Sequence, residues 1–358
     1  SSVHLLKQEM LKSDLSSIIR PMDFPERHGF TMADLRATVD KFKGFRVTVL
    51  GDLIVDEYID CDPLGMSQED PTIVVTPIHS ESFVGGAAIV AAHARSLGAD
   101  VRFISVSGKD SSAEFVNNKL LEYDVKAEVF IDDNRPTTLK QRYRAVGKTL
   151  LRVSHLRQHA VSQEIADRIF NAVKAALPTT DILIFSDFNY GSLPQPLVDK
   201  IVDACKSRKI LMVGDSQSSS QVGDVSRFKD MILLTPTERE ARLSLGDFES
   251  GLVTLSEKLR KKACSKNILI TLGSEGLLAH AAKKTDDEWL TDRLPALNTS
   301  PKDTAGAGDS LLACCSLSLA VGADIWQSMY LGSIAAACQV RRVGNIPLSV
   351  SDIKSELV

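Results

Sequence analysis

The sequence has no basic block, no apolar run of bilayer length and no pair of cysteines at metal-ligand spacing. Each absence excludes a class of function. The 42 basic and 46 acidic residues are interspersed and give a formal net charge of -4, so neither a nucleic-acid nor an anionic-membrane surface is expected. The Lys-Arg cluster at 258–262 reads as a solvated helix face. The longest apolar stretch, 311–321, is interrupted by serines and is too short to cross a bilayer. The cysteines (Cys61, Cys205, Cys264, Cys314, Cys315 and Cys338) form no CxxC pair. Three of them lie in alanine-rich helical stretches, where a free thiol behaves as a small buried hydrophobe. That usage suits a reducing compartment, so a cytoplasmic location is expected. The seven histidines form no pair at zinc-ligand spacing. The start has no basic segment leading into an apolar core, so no signal peptide is expected. The first residue, Ser1, is not methionine, which points to a chain processed, trimmed or cut from something longer.

What is present is an ordinary globular composition over 358 residues, 44% hydrophobic and 25% charged. Residues 1–44 are polar, with helix-like pieces at about 3–12 and 31–43, and read as an extension or linker ahead of a main domain at 45–358. From Arg46 the pattern becomes strand then helix. Val47-Thr-Val-Leu50 is a β-branched run ending in Gly51-Asp52. Strands are expected at 101–106, 181–186, 209–213, 231–234 and 267–271. Helices are expected at 86–97, 112–123, 162–176, 195–207, 237–245 and 251–264, with two more across 306–340. This alternation predicts an α/β fold with a mainly parallel central sheet and helices on both faces. Two strand-like stretches break it, 73–84 and 137–153, and predict a small β-sheet lid with strands near 57–84 and 137–153.

Asp303-Thr-Ala-Gly-Ala-Gly-Asp309 runs directly into an apolar helix. Small residues at 305–308 let backbone approach a ligand, and N–H groups at a helix start are unpaired at the positive dipole end. That combination suits phosphate charge. Asp309 in the first turn can take a proton from an attacking hydroxyl, and phosphoryl transfer needs little beyond positioning and charge stabilisation. The same segment also suits a helix-capping acid after a tight turn. It is not a Walker A loop, because no Lys-Ser/Thr follows its glycines. Gly85-Gly86, ahead of a helix, permits close backbone approach to a ligand or serves as a bare turn. Asp52 and Asp56, at the carboxyl end of the first strand, are placed to hold hydroxyls of a ligand or to cap a turn.

In this order these segments resemble the ribokinase-like (PfkB) carbohydrate kinase family over about residues 45–350. Within it, four segments resemble the heptose 7-phosphate kinase domain of ADP-heptose synthesis. They are Gly51-Asp-Leu-Ile-Val-Asp-Glu-Tyr58, Ser67-Gln-Glu-Asp-Pro71, Arg135-Pro-Thr-Thr-Leu-Lys-Gln-Arg142 with Leu150-Leu-Arg152, and Phe185-Ser-Asp-Phe-Asn-Tyr-Gly191. The resemblance implies an ATP- and Mg2+-dependent kinase with Asp309 as base and the backbone of Ala305, Gly306, Ala307 and Gly308 as anion hole. It implies a sugar site at Asp52, Asp56, Gly85, Gly86, Lys140 and Arg142, the last two as cationic partners of a sugar phosphate or else a solvated lid face. It implies a nucleotide site at Asp215, Thr271, Gly273, Gly276 and Asn345, with Glu240 acting indirectly on Mg2+. It further implies a homodimer through the lid. Ser1-Ser-Val-His-Leu-Leu-Lys7 resembles the end of a nucleotidyltransferase domain, implying a fused or partner transferase.

The chain also departs from the family pattern. Ile89 stands where an Asn touches the sugar, Tyr190 where a lysine stands, and Gly65 where an arginine is expected. Asp215-Ser-Gln-Ser218 replaces a DPKG segment, and Thr237 replaces the Asn of Asn-x-x-Glu. These losses leave open a kinase of another sugar or a nucleoside. They also leave open a degenerate kinase fold serving as scaffold or nucleotide sensor.

Overall fold

The structure, a computed structural model, describes residues 18–218, 222–282 and 290–358. The helix-like piece expected at 3–12 and the transferase-like start at Ser1 lie outside the described residues. In chain order the strands are β1 (Arg46–Gly51), β2 (Leu53–Met66), β3 (Ile73–Gly86), β4 (Asp100–Ser107), β5 (Lys126–Ile131), β6 (Thr138–Ala145), β7 (Lys148–His155), β8 (Ile182–Asp187), β9 (Leu211–Ser216), β10 (Leu233–Leu234), β11 (Asn267–Thr271), β12 (Leu277–Ala281) and β13 (Thr291–Leu294).

Among the described residues, nine strands form one sheet in the order β13-β12-β11-β10-β9-β8-β1-β4-β5. Pairing is parallel from β11 to β5, and β12 and β13 add an antiparallel edge. Central strands are apolar on both faces, as a sheet covered on both sides requires. In β8, Ile182 and Ile184 enter one apolar layer while Leu183 and Phe185 enter the other, the period-two alternation of a strand. Helices Ala87–Ser96, Ala307–Ala320 and Ile325–Gln339 fill the first layer. Helices Gln163–Ala176, Gln195–Ser207 and Leu252–Ala263 fill the second.

The other sheet has four strands in the order β3-β2-β6-β7. Its roots are buried and its outer part is open, with β2 exposed from Asp60 outward except at Cys61. Parallel pairing of β2 with β6 sets Asp56 beside Lys140 and Tyr58 beside Arg142. The expected lid is therefore present, and it begins earlier than its exposed part, at Leu53. The stretch read as 137–153 divides into β6 and β7 at Val146 and Gly147.

Some elements carried too little periodicity to be anticipated. Strand β13 is a polar edge, Thr291-Asp-Arg-Leu294, and β5 is mostly exposed. The helices Asp23–His28 and Val350–Ser355 are each six residues long, below the length at which a helical repeat shows.

Residues 18–44 pack into the first apolar layer. Phe24, Leu35 and Phe42 are wholly buried there. The Phe24 ring stacks on Tyr330 with centroids 6.1 Å apart, and the Ile19 N–H donates to the Leu297 carbonyl at 2.7 Å. Phe24→Ala should therefore lower the unfolding free energy of the whole chain by about 3–5 kcal/mol. Urea denaturation measures this, and an unchanged midpoint would mean the segment is not part of the cooperative core.

Candidate active site

The loop 303–308 is fastened before it reaches the helix. Asp303 Oδ2 accepts from the Tyr58 hydroxyl at 2.7 Å and the Gly344 N–H at 3.0 Å, and Oδ1 accepts from the Ala305 N–H at 3.1 Å. Burial works against the charge of Asp303, but these hydrogen bonds outweigh it and hold the carboxyl below its ordinary value. Gly306 takes φ +74, and a Cβ on it would lie 2.2 Å from Asn345 Oδ1, so no other residue fits there without displacing Asn345. The helix Ala307–Ala320 starts at once, with Asp309 in its first turn.

Asp309 is buried, and its Oδ1 has no hydrogen-bond partner among the described residues. Burial, and then the negative charge of Asp56, push its carboxyl up to about 7, against the opposing charge of Lys140. An orphaned carboxylate oxygen beside a helix N-terminus can accept a proton from a donor that a ligand brings.

The site lies in a cleft of about 1020 Å³ that also holds Asp56, Gly86, Lys140, Arg142, Asp215, Glu240, Thr271, Gly273, Gly276 and Asn345. At the lid end, Arg142 approaches Asp56 Oδ1 at 3.4 Å and Asn345 Nδ2 approaches Asp56 Oδ2 at 3.4 Å. Two expected sugar-site residues are not in the cleft. Asp52 is buried beneath it, and its carboxylate accepts the backbone N–H groups of Phe188, Tyr190 and Ser192 at 2.7, 3.4 and 3.4 Å. It shapes the loop 188–192 in place of a ligand contact. Gly85 also stays out, because a Cβ there would lie 2.4 Å from Asp56 Oδ2. Its lack of a side chain serves Asp56.

At the other end, Thr235 Oγ1 donates to Asp215 Oδ1 at 3.0 Å. Burial, reinforced by Glu240, raises the Asp215 carboxyl well above its ordinary value. Glu240 lines the cleft, but both of its oxygens are engaged, accepting the Ser218 N–H at 2.7 Å and the Thr237 N–H at 2.8 Å. It closes a capping box with Thr237, which limits its part in holding a metal ion. Among the described residues no three Asp, Glu, His or Cys side chains are grouped to hold a metal ion. Asn345 sits between Asp56 and Gly306, on the lid side of the loop. Ile89, fully buried, is a core residue.

Sequence reasoning missed Phe188 and the small residues Ser333, Ala336 and Ala337, which line the cleft from helix Ile325–Gln339. Their i, i+3, i+4 spacing places them on one helix face, a signal that the all-round apolar character of that helix hides.

The model of the pfkB family carbohydrate kinases matches residues 46–352. A bifunctional protein HldE from Desulfatibacillum aliphaticivorans is 29% identical over 323 residues, covering 89% of this chain and 64% of that protein. Its namesake from Helicobacter hepaticus is 30% identical over 316 residues, covering 87% and 63%. The chain thus spans less than two thirds of the length of these curated relatives. Among solved structures, phosphofructokinase-2 from Escherichia coli superposes with a TM-score of 0.70 at 15% identity, covering 88% of this chain and 98% of that one. Ribokinase from Thermotoga maritima gives 0.66 at 19%, covering 87% and 99%. These likenesses establish the ribokinase-like fold.

The raised Asp309 carboxyl makes folding stability depend on pH. Between about pH 4 and 7 the folded chain holds a proton there that the unfolded chain has lost, so stability falls as pH rises through that window and then levels. Asp309→Asn removes this dependence. It should equal the parent near pH 4 and exceed it by on the order of 4 kcal/mol at pH 8. Equal stabilities at pH 8, read by denaturant titration, would refute a desolvated carboxyl.

Proposed function

The chain belongs to the pfkB family of carbohydrate kinases, and from that premise we propose that it transfers the γ-phosphate of ATP to the anomeric hydroxyl of heptose 7-phosphate. The observation that carries the kinase chemistry is Asp309: buried, raised to about 7, with one oxygen unpaired at the first turn of a helix behind a glycine loop. The acceptor hydroxyl gives its proton to Asp309 as its oxygen bonds to the γ-phosphorus. The bond from that phosphorus to the β–γ bridging oxygen breaks, and ADP leaves with the electron pair. Backbone N–H groups at 305–308 meet the charge on the phosphoryl oxygens.

ATP fits the end of the cleft formed by Thr271, Gly273 and Asp215, on the far side of the loop from the lid. Mg2+ fits the acidic character of that end. With no three-carboxylate cage there, phosphate oxygens and water would be its main ligands, with Asp215 the nearest candidate from the chain. It would neutralise phosphate charge when bound. The heptose reading is supported by the segments at 67–71, 135–142 and 185–191 and by the HldE relatives. The cations Arg142 and Arg152 line the lid end and suit a second phosphate on the acceptor. The same proposal carries a fused or partner nucleotidyltransferase and a homodimer through the lid, where Leu64, Ile73 and Ile78 are exposed. A different acceptor is the second reading, favoured by the burial of Ile89 in the core, away from any sugar.

Steady-state assay with ATP, Mg2+ and heptose 7-phosphate should show turnover that Asp309→Asn lowers by about 10²–10⁴-fold. Turnover should also decline as pH falls below about 7, where Asp309 takes up a proton. Full activity in Asp309→Asn would sink the base. Equal rates with ribose, fructose 6-phosphate and adenosine would sink the acceptor.

A further inference from the structure

Lys140 stands on β6 opposite Asp56 of β2 and lines the same cleft as Asp309. Its Nζ lies 5.0 Å from the centre of the Phe188 ring and 5.1 Å from that of Tyr190. The two rings are stacked, with centroids 6.3 Å apart at 26°, and present a joint aromatic surface to the ammonium. The platform is held from behind. Asp52 accepts the Phe188 and Tyr190 N–H groups, and Arg135 Nη1 donates to the Tyr190 carbonyl at 2.9 Å. Cation–π attraction fixes an ammonium without engaging its N–H donors. Among the described residues the Lys140 side chain makes no hydrogen bond or ion pair, so its donors remain open to a ligand. Arg142 differs, since it faces Asp56 and the Tyr58 ring.

The charged groups acting on Asp309 are Asp56 from β2, Lys140 from β6 and Asp215 from β9, with Glu240 beyond Asp215. Lys140 is the cation of this set. We propose that Lys140 is a catalytic residue of the reacting centre: its ammonium, clamped on Phe188 and Tyr190, faces Asp309 and the γ-phosphoryl group in flight. The proposal rests on reading the cleft as a kinase site, and it removes Lys140 from the outer phosphate subsite of the acceptor. Before reaction the ammonium favours the ionised Asp309. As the hydroxyl proton moves onto Asp309, negative charge stays on the phosphoryl oxygens, within reach of the same cation. Tyr190, standing where a lysine is expected, supplies no charge of its own and holds one supplied by β6.

Two measurements test this. Lysines methylated with 13C-formaldehyde report their surroundings by NMR, and the Lys140 signal is assigned by its loss in Lys140→Arg. It should lie upfield under the ring currents and shift with a midpoint near pH 7, following Asp309. Tyr190→Leu should move it toward the bulk lysines, and Asp309→Asn should erase the midpoint. A bulk-like signal without that midpoint overturns the placement, with or without any sugar turnover. In kinetics, Lys140→Met should lower kcat about a hundredfold, with acceptor KM changed less than about threefold, and Lys140→Arg should recover part of the loss. A raised acceptor KM at unchanged kcat returns Lys140 to the outer subsite and overturns the assignment. A wild-type chain that turns over no acceptor overturns the kinase reading as well, and the NMR result tells the two failures apart.

Discussion

A carboxylate buried without a hydrogen-bond partner opposes folding, and Asp309 is such a group. It is held in place by the apolar helix that it begins. Helix Ala307–Ala320 is buried nearly throughout and packs on the sheet beside helices Ala87–Ser96 and Ile325–Gln339. Burial of that helix supplies the free energy that keeps a destabilising group at its N-terminus. A fold selected for stability alone would not leave that oxygen unpaired. With Asp309 as the proposed base, the partner arrives with the substrate.

The lid and the loop 303–308 are joined through one carboxylate. Asp303 takes a hydroxyl from Tyr58 on β2, an N–H from Gly344 after the last long helix, and an N–H from its own loop. Tyr58 packs edge-on to Phe83 of β3, with ring centroids 5.2 Å apart. Phe83 in turn lies so close to Gly344 that a Cβ there would meet its ring at 2.3 Å. The roots of both lid strands therefore touch the segments that shape the loop 303–308.

The substitutions that distinguish this chain from the family pattern differ in their physical effect. Thr237 serves as well as Asn for a helix cap, because its hydroxyl accepts the Glu240 N–H at 3.2 Å while Glu240 reaches back. Tyr190 carries no charge and offers a ring face, with the Lys140 ammonium 5.1 Å from its centre. Ile89 is compatible with the fold because its side chain points into core. The departures thus lie outside the segment 303–309, which matches the family pattern throughout.

Strand–helix alternation, the glycine loop and Asp309 are legible in the chain itself, because they depend on local periodicity and on backbone that only small residues can form. The helix expected at 195–207 and the strand expected at 267–271 coincide with Gln195–Ser207 and Asn267–Thr271. Asp52 and Asp56 look equivalent in sequence, four residues apart after one strand. Only the tertiary structure separates them, because the first meets the backbone of a loop 136 residues away and the second faces the cleft. Likewise Glu240 reads as a metal-site acid until its oxygens are found on two N–H groups, and Lys140 reads as a sugar-phosphate partner or a solvated lid cation until two rings from another loop lie beneath it. Local pattern determined which residues could act. Long-range packing decided which of them are left with an unsatisfied atom, as Asp309 is.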